Sequence, residues 1–315
     1  MSYKILITGG TGFIGHRLVS DWCNKGYEVT VYTRRPDWVY KTWNNQVTAC
    51  MNLSDLSEKF DIFVNLAGEG IADQRWSSRR KHQLRNSRIA LSKSLADWAK
   101  NTQQNFKVVI SGSAIGFYGN QNEKTLDESS PLGHGFAAEL CNDWEHAALS
   151  LSDYCERLCI VRTGVVLGEH GGMLSRLWLP FKFGMGGTLG SGKQYLSWIH
   201  RNDYIEAINW LMNHSCEGVY NLSSPNPVTN SKFTRTLANL LHRPALAPMP
   251  SFVIKLLFGE MSEILLSSQK VAPKRILEDG FQFKFSNIND ALKDVINKHF
   301  NNSMDITKNK LASHH

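Results

Sequence analysis

The sequence predicts an α/β protein: a Rossmann-type, doubly wound parallel sheet with a smaller C-terminal substrate domain. Three features predict it. A strand, a glycine loop, a helix and a second strand follow one another within the first thirty-five residues. Short apolar runs then alternate with helical stretches as far as Arg162, the pattern of a parallel sheet with helices on both faces. The chain has 315 residues, enough for about two domains at roughly 150 residues each. The division expected is a dinucleotide-binding domain over 1–170, whose core can borrow later strands, a substrate-covering region over 171–300 and a frayed polar tail over 301–315.

The first strand is Lys4-Ile5-Leu6-Ile7-Thr8, a short apolar run with β-branched residues. Gly9-Gly10-Thr11-Gly12-Phe13-Ile14-Gly15 follows directly. The next helix carries Leu18, Val19 and Trp22 on one face and ends at Lys25-Gly26, before a second strand, Tyr27–Thr33. In such a unit the first glycine permits a tight turn. The middle one lets a pyrophosphate approach the backbone, and the third lets helix and strand pack closely. The helix start adds unpaired N–H groups and a positive dipole end. A strand before and a helix after make this glycine triplet a specific signal. Gly9, Thr11, Gly12, Phe13, Ile14 and Gly15 are the expected phosphate-binding residues.

The end of the second strand selects the dinucleotide. An NAD site usually carries an acid there, for the ribose 2′-OH. Here Thr33 is followed by Arg34 and Arg35. A guanidinium grips a 2′-phosphate that a carboxylate would repel. NADP(H) is therefore the expected cofactor, held in part by Arg34 and Arg35.

Further strands are expected at Val47–Cys50, Asp61–Gly68, Lys107–Ser111 and Leu158–Arg162. One long helix over 77–100 has Leu84, Leu91, Leu95 and Trp98 as its stripe. Ligands bind beyond the carboxyl ends of such strands. Three segments emerge there: Leu66-Ala67-Gly68-Glu69, Ser111-Gly112-Ser113-Ala114 and Arg162-Thr163-Gly164-Val165. Leu66, Ala67, Gly68, Ser111 and Gly164 complete the expected cofactor contacts.

Composition narrows the partners. Lys and Arg exceed Asp and Glu by 35 − 28 = 7, but they are spread along the chain with no RNA-binding signature, so no nucleic-acid partner is expected. No run of about 18 apolar residues exists, and no h-region follows Met1, so neither a membrane span nor a secretory signal is expected and the chain reads as cytoplasmic. The six cysteines form no CxxC pair; they read as reduced thiols, with no metal site. The partner expected is a small, anionic substrate, with a homodimer left open. Gly187–Lys193 spells GxxxxGK, but Gln194 follows where a P-loop needs Ser or Thr, and no strand precedes it.

TGGTGFIG, NLAG and SGSAIGFYG, at residues 8–15, 65–68 and 111–119, resemble the extended branch of the short-chain dehydrogenase/reductases, which includes the nucleotide-sugar epimerases and dehydratases. Arg75-Trp76, Trp144-Glu145, Arg162–Leu167, Tyr195–His200 and the tail from Pro250 to Phe285 are similar to the "epimerase family" proteins within that branch, also described as nucleoside-diphosphate-sugar epimerase or cell-division-inhibitor-like. The resemblance runs from residue 3 to about 298. It implies a Rossmann fold, a nicotinamide cofactor and a serine after the fifth strand working with Tyr-x-x-x-Lys on the next helix. Ser113 fits the serine. The tyrosine and lysine positions hold Phe136 and Leu140, and none of the nine tyrosines has lysine four residues later.

Phe136, Leu140, Trp144, Ala148 and Leu151 instead form an apolar stripe. Proton donors to replace the phenol are sought in Tyr118, Glu69 and Cys141, with Ser113 and either Tyr118 or Glu69 as the catalytic set. Arg75, Arg79, Arg80, Lys81, Arg85 and Arg88 form the densest basic run, either a solvated face or a site for a substrate phosphate or carboxylate. Two functions stay open: an NADP(H)-dependent oxidoreductase or epimerase-like enzyme on a small anionic carbonyl or hydroxyl compound, and a catalytically weak NADP(H)-binding regulator acting through a protein partner. In the second half, Asn202 or Asp203 is expected to cap a helix reaching about Met212, with His200 structural. Helices are also expected over 231–241, 252–258 and 288–295.

Overall fold

A run such as Ile5-Leu6-Ile7 requires cover on both faces of its strand, and it has it: all three side chains are inaccessible to solvent. The structure, a computed structural model, describes the backbone of residues 2–312, with side chains through Phe300. Seven strands form the central sheet: β1 (Lys4–Thr8), β2 (Glu28–Tyr32), β3 (Thr48–Cys50), β4 (Ile62–Asn65), β5 (Val108–Ala114), β6 (Leu158–Thr163) and β7 (Gly218–Leu222). They lie in the order β7-β6-β5-β4-β1-β2-β3, every pair parallel. β7 comes from beyond residue 170. The main helices are α1 (Gly15–Asn24), α2 (Pro36–Thr42), α3 (Ser78–Asn86), α4 (Ile89–Asn101), α5 (Phe136–Leu149), α6 (Gly172–Lys182), α7 (Arg201–Asn213), α8 (Asn230–Leu240) and α9 (Ser251–Phe258). A final helix spans Ile288–Ala312. The polar stretch after residue 300 therefore begins as helix; His314 and His315 lie outside the described residues.

Alternate strand residues serve opposite faces. Ile5, Ile7, Val31 and Val64 pack with Leu18 and Trp22 of α1 and with Tyr204 and Ile208 of α7. Leu6, Phe63, Val109 and Ile160 pack with Leu95 and Trp98 of α4 and with Ala148 and Leu151. Each fully buried side chain of this kind stabilises the fold by about 1.5–3 kcal/mol. A separate core, with Leu174, Trp198, Phe233, Phe285, Leu292 and Val295, holds the second lobe together.

Two expectations are corrected. The helix over 77–100 is two helices, broken at Ser87-Arg88. Both side chains turn back to the Leu84 carbonyl, at 3.0 and 3.2 Å, and the Ser87 hydroxyl also receives the Glu69 N–H at 3.1 Å. Ser87 and Arg88 thus bind a loop instead of continuing the turn. The cap of α7 is His200, not Asn202 or Asp203: its Nδ1 accepts the Asn202 N–H at 3.1 Å. Asp203 receives the N–H groups of Lys284 and Phe285 at 3.0 and 2.9 Å. The GxxxxGK segment leads into the short strand Tyr195–Leu196, not a helix, and is stitched to the second lobe through Gly190 N–H to Met249 O at 2.9 Å.

His200 gives a pH dependence. Burial pushes its imidazole from 6.5 down to about 4, against the pull of Asp294, which accepts from Nε2 at 3.1 Å; Lys298 and Glu169 are the other charges near it. Protonation would also place a hydrogen on the Nδ1 that caps α7. The unfolded chain takes up this proton first, so stability is full above pH 6.5 and falls as the pH drops toward 4. Thermal melts at pH 7.5 and 5 should show a larger loss for wild type than for His200→Asn, which caps without titrating; equal losses would contradict this.

Candidate cofactor cleft and active site

The sheet order reverses between β1 and β4: one half runs on through β2, the other through β5. Ligands of open α/β sheets bind at this switch point, beyond the carboxyl ends of the strands. The two loops there touch. Gly9 has φ +72°, and a Cβ on it would lie 2.7 Å from the Leu66 carbonyl carbon. Thr8 Oγ1 donates to Asn65 Oδ1 at 2.6 Å and accepts the Ala67 N–H at 3.2 Å. Asn65 Nδ2 in turn donates to Ser92 Oγ on α4 at 3.2 Å.

The three glycines have separate jobs. A Cβ on Gly15 would fall 2.2 Å from Gly9 O, whereas one on Gly12 would meet only Gly9 O, at 3.2 Å, and otherwise project into open space. α1 starts at Ile14 with no side-chain cap and no acid in its first turn. The His16 N–H bonds to Gly12 O at 2.9 Å and the Arg17 N–H to Ile14 O at 3.1 Å, so the positive helix end and the open side of Gly12 are what a dinucleotide diphosphate would meet. Phe13 adds only its backbone: its ring packs on Gly168 and Gly171 under the Arg201 guanidinium, 5.1 Å away, tying the loop to the second lobe. Gly12→Ala should therefore keep the melting temperature within a few degrees and lose dinucleotide binding, while Gly15→Ala should lose stability as well. Melting curves with and without NADPH separate the two, and equal destabilisation would contradict the assignment.

Beside the loop stands a cluster of cations. Arg35 Nη2 donates to Thr11 Oγ1 at 2.9 Å, and its guanidinium lies 5.5 Å from the centre of the Trp38 ring. The Arg34 side chain is 93% exposed, with Nη2 3.7 Å from Glu69 Oε1. Arg80 holds the other Glu69 oxygen at 3.3 Å. Glu69 thus contacts the arginines, and no bond joins it to Ser113 or Tyr118.

Ser113 lies in a buried polar chain. Its Oγ donates to Glu145 Oε1 on α5 at 2.6 Å. Arg162 on β6 grips both oxygens of that carboxylate, Nε and Nη2 each at 2.8 Å, and donates through Nη1 to Tyr118 OH at 3.0 Å. Tyr118 OH donates in turn to Asn221 Oδ1 on β7 at 2.8 Å. A carboxylate held by a guanidinium only accepts, so the Ser113 O–H points at Glu145. Ser113 then presents lone pairs and no donor. Tyr118 is fully inaccessible with both sides of its hydroxyl engaged, and burial raises its pKa. It is not an available acid, a correction to the expected set. Cys141 is no substitute: burial pushes its thiol up to about 11.

Neither Glu145 nor Arg162 was singled out from sequence as a partner of Ser113. The signal lay in an acid one residue beyond the apolar stripe and an arginine at the end of a buried strand. Phe136, Leu140 and Trp144 are buried as the stripe requires, with Phe136 edge-on to Trp76 at 4.9 Å. Ser111 is buried with its Oγ unpartnered among the described residues. Gly164 is a packing glycine, since a Cβ would lie 2.9 Å from Ser197 O. The basic run mostly ties elements together: Lys81 pairs with Glu260, Arg85 with Glu139 and Asp143, and Arg75 binds the Leu256 and Leu257 carbonyls.

A doubly wound parallel sheet with a glycine cradle at its switch point defines a dinucleotide-binding protein. The chain belongs to the NAD dependent epimerase/dehydratase family, which it matches over residues 5–223; residues 249–295 match a domain of unknown function, DUF1731. It is 37% identical to the mouse epimerase family protein SDR39U1 over 303 residues, covering 93% of this chain and 99% of that one. It is 35% identical to an epimerase family protein of Staphylococcus aureus, over 94% of this chain and 99% of that one. The crystal structure of human SDR39U1 (isoform 2) with NADPH superposes with a TM-score of 0.84 at 33% identity, covering 93% of this chain and 98% of that one. Among the described residues, no helix is long and apolar enough to cross a membrane.

Proposed function

We propose that this chain is an NADP(H)-dependent oxidoreductase acting on a small anionic hydroxyl or carbonyl compound without the usual phenol and lysine. The observation that carries the reading is the cation cluster at the end of β2, where Arg34 and Arg35 replace the acid of an NAD site and Arg35 is pinned against the glycine loop through Thr11. The relative solved with NADPH supports it. Gly9, Gly12 and Gly15 shape the diphosphate cradle; Leu66, Ala67 and Gly68 form the facing wall. A nicotinamide dinucleotide held by these residues would supply or accept the hydride. Ser113, its O–H directed at Glu145, accepts a hydrogen bond from the hydroxyl form of the substrate and orients it; the carbonyl form receives no donor from Ser113. Phe136 and Leu140 exchange no proton, so the proton passes to or from water, slower by roughly 10²–10⁴-fold than with a positioned acid.

The closed Ser113–Glu145–Arg162–Tyr118 chain favours a second reading, an NADP(H)-binding regulator that acts through a protein partner. One experiment separates them: oxidation of NADPH is followed over a panel of carbonyl compounds and quinones. Turnover of any of them supports the enzyme. Tight NADPH binding without turnover on the whole panel would leave the regulator.

A further inference from the structure

Four arginines are buried: Arg80, Arg88, Arg162 and Arg201. Three have a carboxylate partner, in Glu69, Glu145 and Glu169. Arg88, 8% exposed, has none among the described residues. Its Nη1 donates to Leu84 O and Ser87 Oγ, each at 3.2 Å, and its Nη2 to Glu69 O at 2.9 Å. These acceptors are neutral, and Nε has no hydrogen-bond partner among the described residues. The guanidinium lies between Gly68 and the ring of Trp144: Cζ is 5.0 Å from the ring centre, and a Cβ on Gly68 would come within 2.8 Å of Cζ. Burying a cation without a counter-ion costs several kcal/mol. Burial accordingly lowers the Arg88 pKa, and the nearby Arg80 cation lowers it further, against weaker support from Cys141 and Glu69.

The position has a function to match. Gly68 lines the switch point, and Trp144 stands one turn beyond Leu140, which occupies the lysine position of the superfamily pattern. Resting on the reading of this cleft as a dinucleotide-dependent active site, we propose that Arg88 is the subsite for an anionic oxygen of the substrate, a carboxylate or phosphate group. The α3–α4 break delivers the cation that α5 lacks, and the bare Gly68 seats it. A fork of N–H donors is suited to a planar carboxylate.

The test uses the full chain saturated with NADPH and titrated with malonate or inorganic phosphate, read by melting temperature and tryptophan fluorescence. Wild type should respond saturably to at least one anion. Arg88→Met should weaken that response by about tenfold or more, equivalent to about 1.4 kcal/mol, and leave NADPH affinity within about twofold. Arg88→Lys, which keeps the charge and loses the planar fork of donors, should also weaken the anion response and serves where Arg88→Met does not fold. An unchanged anion response in both variants overturns the proposal. So does a fall in NADPH affinity matching the fall in anion response, which would make the cofactor the source of the anion. Wild type that responds to the anions but binds no NADPH would refute the cofactor reading and leave the Arg88 subsite standing.

Discussion

Arg162→Met is expected to destabilise the chain by about 3–5 kcal/mol, the range for breaking a buried ion pair from one side. Arg162 and Glu145 are almost completely enclosed, and Arg162 makes three of the bonds in the chain from Ser113 to Asn221. Its loss leaves the Glu145 carboxylate in low dielectric with only the Ser113 proton. It also removes the donor to Tyr118 OH and the cation that lies 3.4 Å from the centre of the Phe117 ring. Adding Glu145→Gln removes the stranded charge and should restore part of the loss, because replacing both partners is far milder than replacing one. Urea unfolding of the single and double variants measures this. A loss under about 1 kcal/mol in the single variant, within the range of an exposed pair, would contradict the network.

Arg34→Asp is expected to weaken NADPH binding on the order of 10–100-fold and to leave NADH binding nearly unchanged. A hydrogen bond to a charged group contributes about 1.5–3 kcal/mol, and the introduced carboxylate adds repulsion toward a 2′-phosphate. The loss stays moderate because Arg34 is exposed and its ion pair with Glu69 is long, so solvent screens much of the charge. Arg35, fixed on Thr11, retains part of the grip. Titration of wild type and variant with both dinucleotides measures the effect, and an unchanged preference would refute the role of Arg34.

The strand–glycine loop–helix unit was legible because each glycine answers a local demand: a left-handed φ at Gly9, backbone contact at Gly15 and open approach at Gly12. Strand and helix periods framed them without help from the rest of the fold. The apolar stripe on α5 was legible for the same reason, since burial follows the helical period. The chemistry of Ser113 was not. Its partners come from α5 and β6, and their meeting depends on how that helix packs over the sheet. The helix break at Ser87-Arg88 was hidden by a leucine stripe that continues across it, from Leu84 to Leu95. Within the basic run, charge alone did not separate Lys81 and Arg85, which join elements, from Arg88, which has no acid partner among the described residues. His200 caps α7 although the more usual capping residues Asn202 and Asp203 stand next to it, because Asp203 is drawn to the backbone of Lys284 and Phe285.

Calorimetric titration of the folded chain with NADPH and NADH tests the central claim most directly. A dinucleotide cradle flanked by Arg34 and Arg35 should give saturable one-site binding of NADPH, with NADH weaker by about tenfold or more, a difference of about 1.4 kcal/mol. Neither dinucleotide binding, or NADH binding as tightly as NADPH, would contradict it.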